Sequence, residues 1–222
     1  MMHVPDANGQ DNNDPNDWAN LTYYQSANAT IAPAAADEMR VVFMGNSITE
    51  GWLQSDPSFF SGKPYINRGI SGQTTPQMLI RFRQDVIDLH PKLVVLLAGT
   101  NDITENKGPT TLEAIYENIV SMAELSSVHH IRMVICSVLP VFDYPWRPGL
   151  QPAEKIDKLN QMLKSYCAQE NITYVDYHTP MADERKGLKL IYGEDGVHPN
   201  LTGYKFMEPL VEAGIAEALK RN

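Results

Sequence analysis

Cysteine is scarce: only Cys136 and Cys167 occur in 222 residues. Neither belongs to a Cys-x-x-Cys or Cys/His ligand pattern, so a disulfide framework and a thiolate metal centre are both excluded. Two free, buried thiols are expected instead. Long hydrophobic runs are missing too. No apolar stretch approaches the roughly 20 residues of a membrane span, so no stable membrane insertion is expected. Positive charge is in deficit, with 18 Lys and Arg against 27 Asp and Glu and a formal net charge of −9. Nucleic acid and anionic membrane select basic surfaces, so neither is expected as the main partner. The opening residues MMHVPDANGQDNNDPNDW contain no basic-then-apolar signal region, which leaves the compartment open. Nothing in the sequence sets an oligomeric state.

What is present suits a globular domain. Hydrophobic residues make up 43% and charged residues 20%, and this length can bury a sizeable core without staples. Residues 1–16, rich in Asn, Asp and Pro, read as a disordered lead-in to one domain over 17–222. Trp18, Leu21 and Tyr24 recur at helical spacing, which predicts a short helix packed on the core. Strand-like runs follow at 40–45, 65–67, 92–99, 132–139 and 173–177. Three are almost continuously apolar, as in strands covered on both faces. Helices are predicted between them. Thr75 is placed as a cap before Pro76, with a stripe through Met78, Leu79, Phe82, Val86 and Leu89. Thr110 and Glu113 have capping-box spacing, Pro152 opens a third helix, and a last one spans about 202–219. This alternation predicts an α/β fold, three layered, with a mostly parallel five-stranded sheet between helices.

In such sheets ligands bind beyond the carboxyl ends of the strands. Four polar clusters fall there: GNS after the first strand, NRGISGQTT (67–75) after the second, GTND (99–102) after the third, and DGVHPN (195–200) before the last helix. They contain a hydroxyl, glycine amides, a carboxamide and an Asp three residues before a His. Acyl transfer needs that inventory: a nucleophile, oxyanion donors, a base, and a group to orient the base. Each cluster also has a plain structural use. Ser47 after a strand can cap a helix, and Asn101 with Asp102 can close an Asx turn.

The four segments, in order, resemble the blocks of the SGNH hydrolases, also called the GDSL esterase family. GNSIT resembles the first block, with Asn46 where many members have Asp. NRGISG resembles the glycine block, GTND the asparagine block, and DGVHPN the final Asp-x-x-His block. The resemblance spans about residues 40–205 and implies the flavodoxin-like fold of that family. It implies Ser47 as nucleophile, His198 as general base and Asp195 as the residue orienting the imidazole. It also implies an oxyanion hole made of the Ser47 and Gly72 backbone N–H groups and the Asn101 amide. No metal or cofactor is implied. The nearest likeness is to members that remove acetyl groups from carbohydrates, so a small-molecule or glycan ester is the expected substrate.

Asn46 is expected to brace the turn before Ser47 and is a possible substrate contact. The loop VFDYPWRPGLQP (141–152) offers Trp146 for stacking on a sugar ring and Arg147 for a carboxylate or hydroxyls. Trp52, by contrast, reads as packing. Rival readings are a lysophospholipase, lipid esterase or thioesterase of the same family, and a non-catalytic carbohydrate-binding protein. A metal-dependent phosphoesterase built on Asp102, His178, Asp195 and His198 is the remaining rival.

Overall fold

The computed structural model describes residues 16–221. The expected lead-in, up to residue 15, and Asn222 lie outside the described residues. Five strands form one sheet: β1 (Val41–Gly45), β2 (Tyr65–Gly69), β3 (Leu93–Leu97), β4 (Arg132–Cys136) and β5 (Thr173–Val175). Their order is β2-β1-β3-β4-β5 and every pairing is parallel. This is the expected three-layer α/β/α arrangement. The order reverses between β1 and β3, so the connections leaving those strands diverge to opposite faces and open a crevice at the carboxyl edge.

Alternation along the strands divides the core into two. Val42, Met44, Val94 and Leu96 face the helices α4 (Thr75–Asp85), α6 (Leu112–Val128) and α7 (Pro152–Gln169). Val41, Phe43, Val95 and Leu97 face α2 (Ser47–Ser55), α3 (Pro57–Phe60) and α9 (Leu201–Lys220). Because side chains in a strand point alternately to opposite faces, a strand sandwiched between helix layers must be apolar at every position. On the second face Trp52 stacks on Phe59 at 4.8 Å and on Tyr204 at 5.3 Å between ring centroids. Such pairs add about 0.5–1.5 kcal/mol beyond area burial. Trp52 is 2% exposed, a packing residue as expected. Cys136 and Cys167 are free and buried.

Several boundaries differ from the sequence reading. The N-terminal helix is only α1 (Gln25–Thr30), preceded by turns, and Trp18 and Leu21 are exposed. Asp17 explains this: its carboxylate accepts from the Leu21 and Thr22 N–H groups and from the Thr22 hydroxyl, while Asn20 takes a left-handed φ of 56°. Local side-chain bonds of this kind compete with helix formation. The cap of α4 is Thr74, whose N–H donates to Gln77 Oε1, and not Thr75, whose hydroxyl is held by Asp102. The cap of α6 is Thr111, which accepts from the Ala114 N–H, and not Thr110. β4 stops at Cys136 because the Asn160 carboxamide takes both the N–H and the C=O of Val138. α5 (Thr100–Ile103) and α8 (His178–Met181) are short turns of helix. Among the described residues no helix is long and apolar enough to cross a membrane.

Candidate active site

Ser47 stands at the first position of α2, directly beyond β1. Asn46, not Ser47, caps that helix: its Oδ1 accepts from the Ile48 N–H at 3.0 Å. The serine hydroxyl is therefore released from capping. Asn46 is 1% exposed, so it lies beneath the site surface, braced in the turn as expected. The helix also sits unusually close to the sheet. A Cβ at Gly69 would fall 2.2 Å from the Glu50 backbone nitrogen, so only glycine lets α2 rest on β2.

Asp195 and His198 form a local unit. Asp195 Oδ1 accepts from the Val197 and His198 N–H groups, both at 2.8 Å, and Oδ2 lies 2.7 Å from His198 Nδ1. Partial burial pushes the Asp195 carboxyl up, but the bonds from the His198 ring and the two amides outweigh it and hold the group at about 2. An ionised carboxylate can only accept, so the imidazole proton belongs on Nδ1 and Nε2 presents a lone pair. Ser47 Oγ lies 3.0 Å from that Nε2, across 151 positions of sequence. The Tyr204 hydroxyl donates to the Ile48 carbonyl at 2.9 Å and so ties α9, which follows the His198 turn, to α2.

The two remaining polar clusters adjoin each other. Gly72 has φ +75°, a conformation suited to glycine, and a Cβ there would meet nothing within 4 Å. Asn101, in α5 after β3, is buried; its Nδ2 donates to the Gln73 carbonyl at 2.9 Å and its Oδ1 accepts from Asn106 Nδ2 at 3.0 Å. Among the described residues the second Nδ2 proton has no hydrogen-bond acceptor. Trp146 is half exposed, with its ring centroid 5.9 Å from that of His198. Arg147 is committed within the chain: its guanidinium donates to the Thr104 carbonyl and to the Glu105 carboxylate, the latter at 2.6 Å. Glu105 thus pairs with a guanidinium whose side chain is still 43% exposed.

The metal-site residues do not assemble. His178 Nε2 lies 3.4 Å from Asp157, and Asp102 accepts from the Thr75 N–H and hydroxyl. Among the described residues no three His, Cys, Asp or Glu side chains converge as a metal group. Sequence reasoning passed over Gln73, Glu50 and Arg81, which support the site from below. Glu50 accepts from the Ser71 N–H at 3.0 Å and from the Tyr23 hydroxyl. Arg81 carried a signal, since it and Asp85 fall in phase with the apolar stripe of Met78 and Phe82. Inward charges of opposite sign one turn apart mark a buried pair.

Residues 43–206 match the model of the GDSL-like lipase/acylhydrolase family. The chain is similar to the solved structure of a GDSL-like lipase from Bacteroides thetaiotaomicron VPI-5482, with 46% identity, a TM-score of 0.88, and coverage of 90% of this chain and 98% of that one. It is 22% identical over 221 residues to an acetylxylan esterase of Xylanibacter ruminicola, covering 84% of this chain and 45% of that one. It is 36% identical over 81 residues to the uncharacterized lipoprotein YqeF of Bacillus subtilis strain 168, covering 35% of this chain and 33% of that one. The chain thus spans between a third and a half of the length of these two curated relatives. It belongs to the GDSL-like lipase/acylhydrolase family.

Proposed function

We propose that the protein hydrolyses small acyl esters, acetyl esters above all, of carbohydrates or similar polar alcohols. The observation that carries the chemistry is the relay from Ser47 Oγ to His198 Nε2 (3.0 Å) and from His198 Nδ1 to Asp195 (2.7 Å). Ser47 Oγ attacks the ester carbonyl while Nε2 takes its proton. The oxyanion is met by the N–H groups of Ser47 and Gly72 and by the unused N–H of Asn101. His198 returns the proton to the departing alcohol, then draws one from water as it attacks the acyl-enzyme, and passes that proton to Ser47 Oγ as the acyl–Oγ bond breaks and the acid leaves. Asp195 keeps the imidazole in the required tautomer and stabilises its charged form.

Two features support the carbohydrate side of the reading. Trp146 offers an exposed aromatic face beside His198, and the acetylxylan esterase of Xylanibacter ruminicola is among the relatives. A specific observation favours a second reading, a lipid esterase or thioesterase. Leu190, Ile191 and Leu201, which flank the Asp195–His198 turn in sequence, are 70%, 66% and 51% exposed. One experiment separates the two: hydrolysis of p-nitrophenyl esters from acetyl to lauroyl by wild type and Ser47→Ala. Preference for acetyl, with Ser47→Ala inactive, is the expected result. A rate that climbs with chain length assigns the protein to lipid or thioester substrates, and activity surviving in Ser47→Ala removes the serine mechanism.

A further inference from the structure

Gln73 is 1% exposed, and both polar ends of its side chain are occupied. Its Oε1 accepts from Arg81 Nε, while Nε2 donates to the Ala19 carbonyl at 2.8 Å and to Asn20 Oδ1 at 3.2 Å. Its backbone carbonyl is the group that receives Asn101 Nδ2. Asn106 holds the other end of the same carboxamide. A planar amide gripped at its oxygen and at one N–H has its second N–H aimed in a fixed direction.

We propose that Gln73 is a positioning residue for ester hydrolysis: its carbonyl aims the Asn101 amide at the developing oxyanion, and its buried side chain fixes that carbonyl. The proposal rests on the reading of Asn101 as an oxyanion donor.

The surroundings explain why an amide side chain is used. Arg81 is fully buried and pairs with Asp85 at 2.9 Å. Its Nη2 donates to the carbonyls of Gly45 (3.0 Å) and Arg68 (2.9 Å), near the ends of β1 and β2. The same guanidinium holds Gln73, so one cation sets the nucleophile strand, the glycine loop and, through Gln73, the Asn101 amide in a common frame. The turns around Ala19 and Asn20 hold Gln73 from the other side. A residue that served only to fill space could be Leu or Met, with no buried polar atoms to satisfy. Oxyanion donors work because they are oriented before charge develops, and small misplacements are costly in rate.

The test is a double-mutant cycle on p-nitrophenyl acetate, with Tm followed for each variant. Gln73→Met should lower kcat about tenfold with KM within about twofold. Asn101→Ala should lower kcat on the order of 10²–10³-fold. The double variant should fall within about threefold of Asn101→Ala alone, because aiming has no effect once the donor is gone. Multiplied losses in the double variant, or a Gln73→Met protein with lowered Tm and wild-type kcat, overturn the proposal. If Gln73→Met does not fold, Gln73→Ser, which admits water to Arg81, takes its place with the same outcomes. Near-normal kcat in Asn101→Ala alone would instead remove the oxyanion reading, and this proposal with it.

Discussion

At the scale of single residues, distance along the chain separates the parts of the site. Asp195 and His198 are three positions apart, and their mutual bonds are those of one Asx-type turn. A spacing of that kind is visible in sequence because it is closed locally. Asn101 is different: its neighbours in GTND reveal a turn, but its partner Gln73 lies 28 positions away on the far side of β3. Asn101→Ala is expected to leave the protein folded, since it strands only the Gln73 carbonyl and the Asn106 amide, at about 1–3 kcal/mol each. Turnover should drop on the order of 10²–10³-fold. Steady-state kinetics beside a urea melt checks both halves, and unchanged kcat would take Asn101 out of the hole. Arg147 shows the opposite limit. Its guanidinium type suggested a substrate carboxylate or hydroxyls, and only the fold shows that Glu105 also reaches it.

At the scale of elements, the loop between β4 and α7 is held along its length. Tyr144 is fully buried, with its hydroxyl 2.8 Å from Thr100 Oγ1; Asp143 accepts from the Gly149 N–H, and Arg147 ties the loop to Thr104 and Glu105. These anchors leave Trp146 projecting beside His198. Trp146→Ala should therefore raise KM for acetylated sugars by about tenfold, the loss of one aromatic stacking contact. KM for p-nitrophenyl acetate should barely move, and equal changes on both substrates would defeat the sugar-stacking role. Strands and long helices were legible from periodicity, but several caps were displaced by one residue. Ser47 and Asn46 are both adequate caps by type, and so are Thr74 and Thr75. Which of each pair caps depends on what else the other touches: His198 for Ser47, Asp102 for Thr75.

At the scale of the whole molecule, Asp102 links α5 to the first turn of α4, accepting from the N–H and hydroxyl of Thr75. Burial raises its carboxyl, the Thr75 bonds lower it, and the balance stands at about 6. A carboxyl raised on folding binds a proton that the unfolded chain releases. Stability through this group is therefore greatest below the ordinary carboxylate range and declines as pH rises toward about 6. Asp102→Asn should abolish that component. Urea midpoints of wild type and variant, compared between acid and neutral pH, should diverge by a few kcal/mol at most. Parallel curves would show that Asp102 does not titrate in that window.

The sequence by itself determined what is closed within a few residues: the apolar alternation that makes strands buried on two faces, the caps to within a residue, and the Asp-x-x-His turn. It also bounded chemistry by composition, through scarce cysteine and a net charge of −9. Tertiary structure alone decided which of these pieces meet. Ser47 reaches His198 across 151 positions only because the strand order turns at β1 and β3 and α9 packs back on α2. The burial of Arg81 under three segments was likewise undecided until the sheet had formed. Hydrogen bonds act over about 3 Å, and proximity at that range between distant parts of a chain is a property of the packed fold.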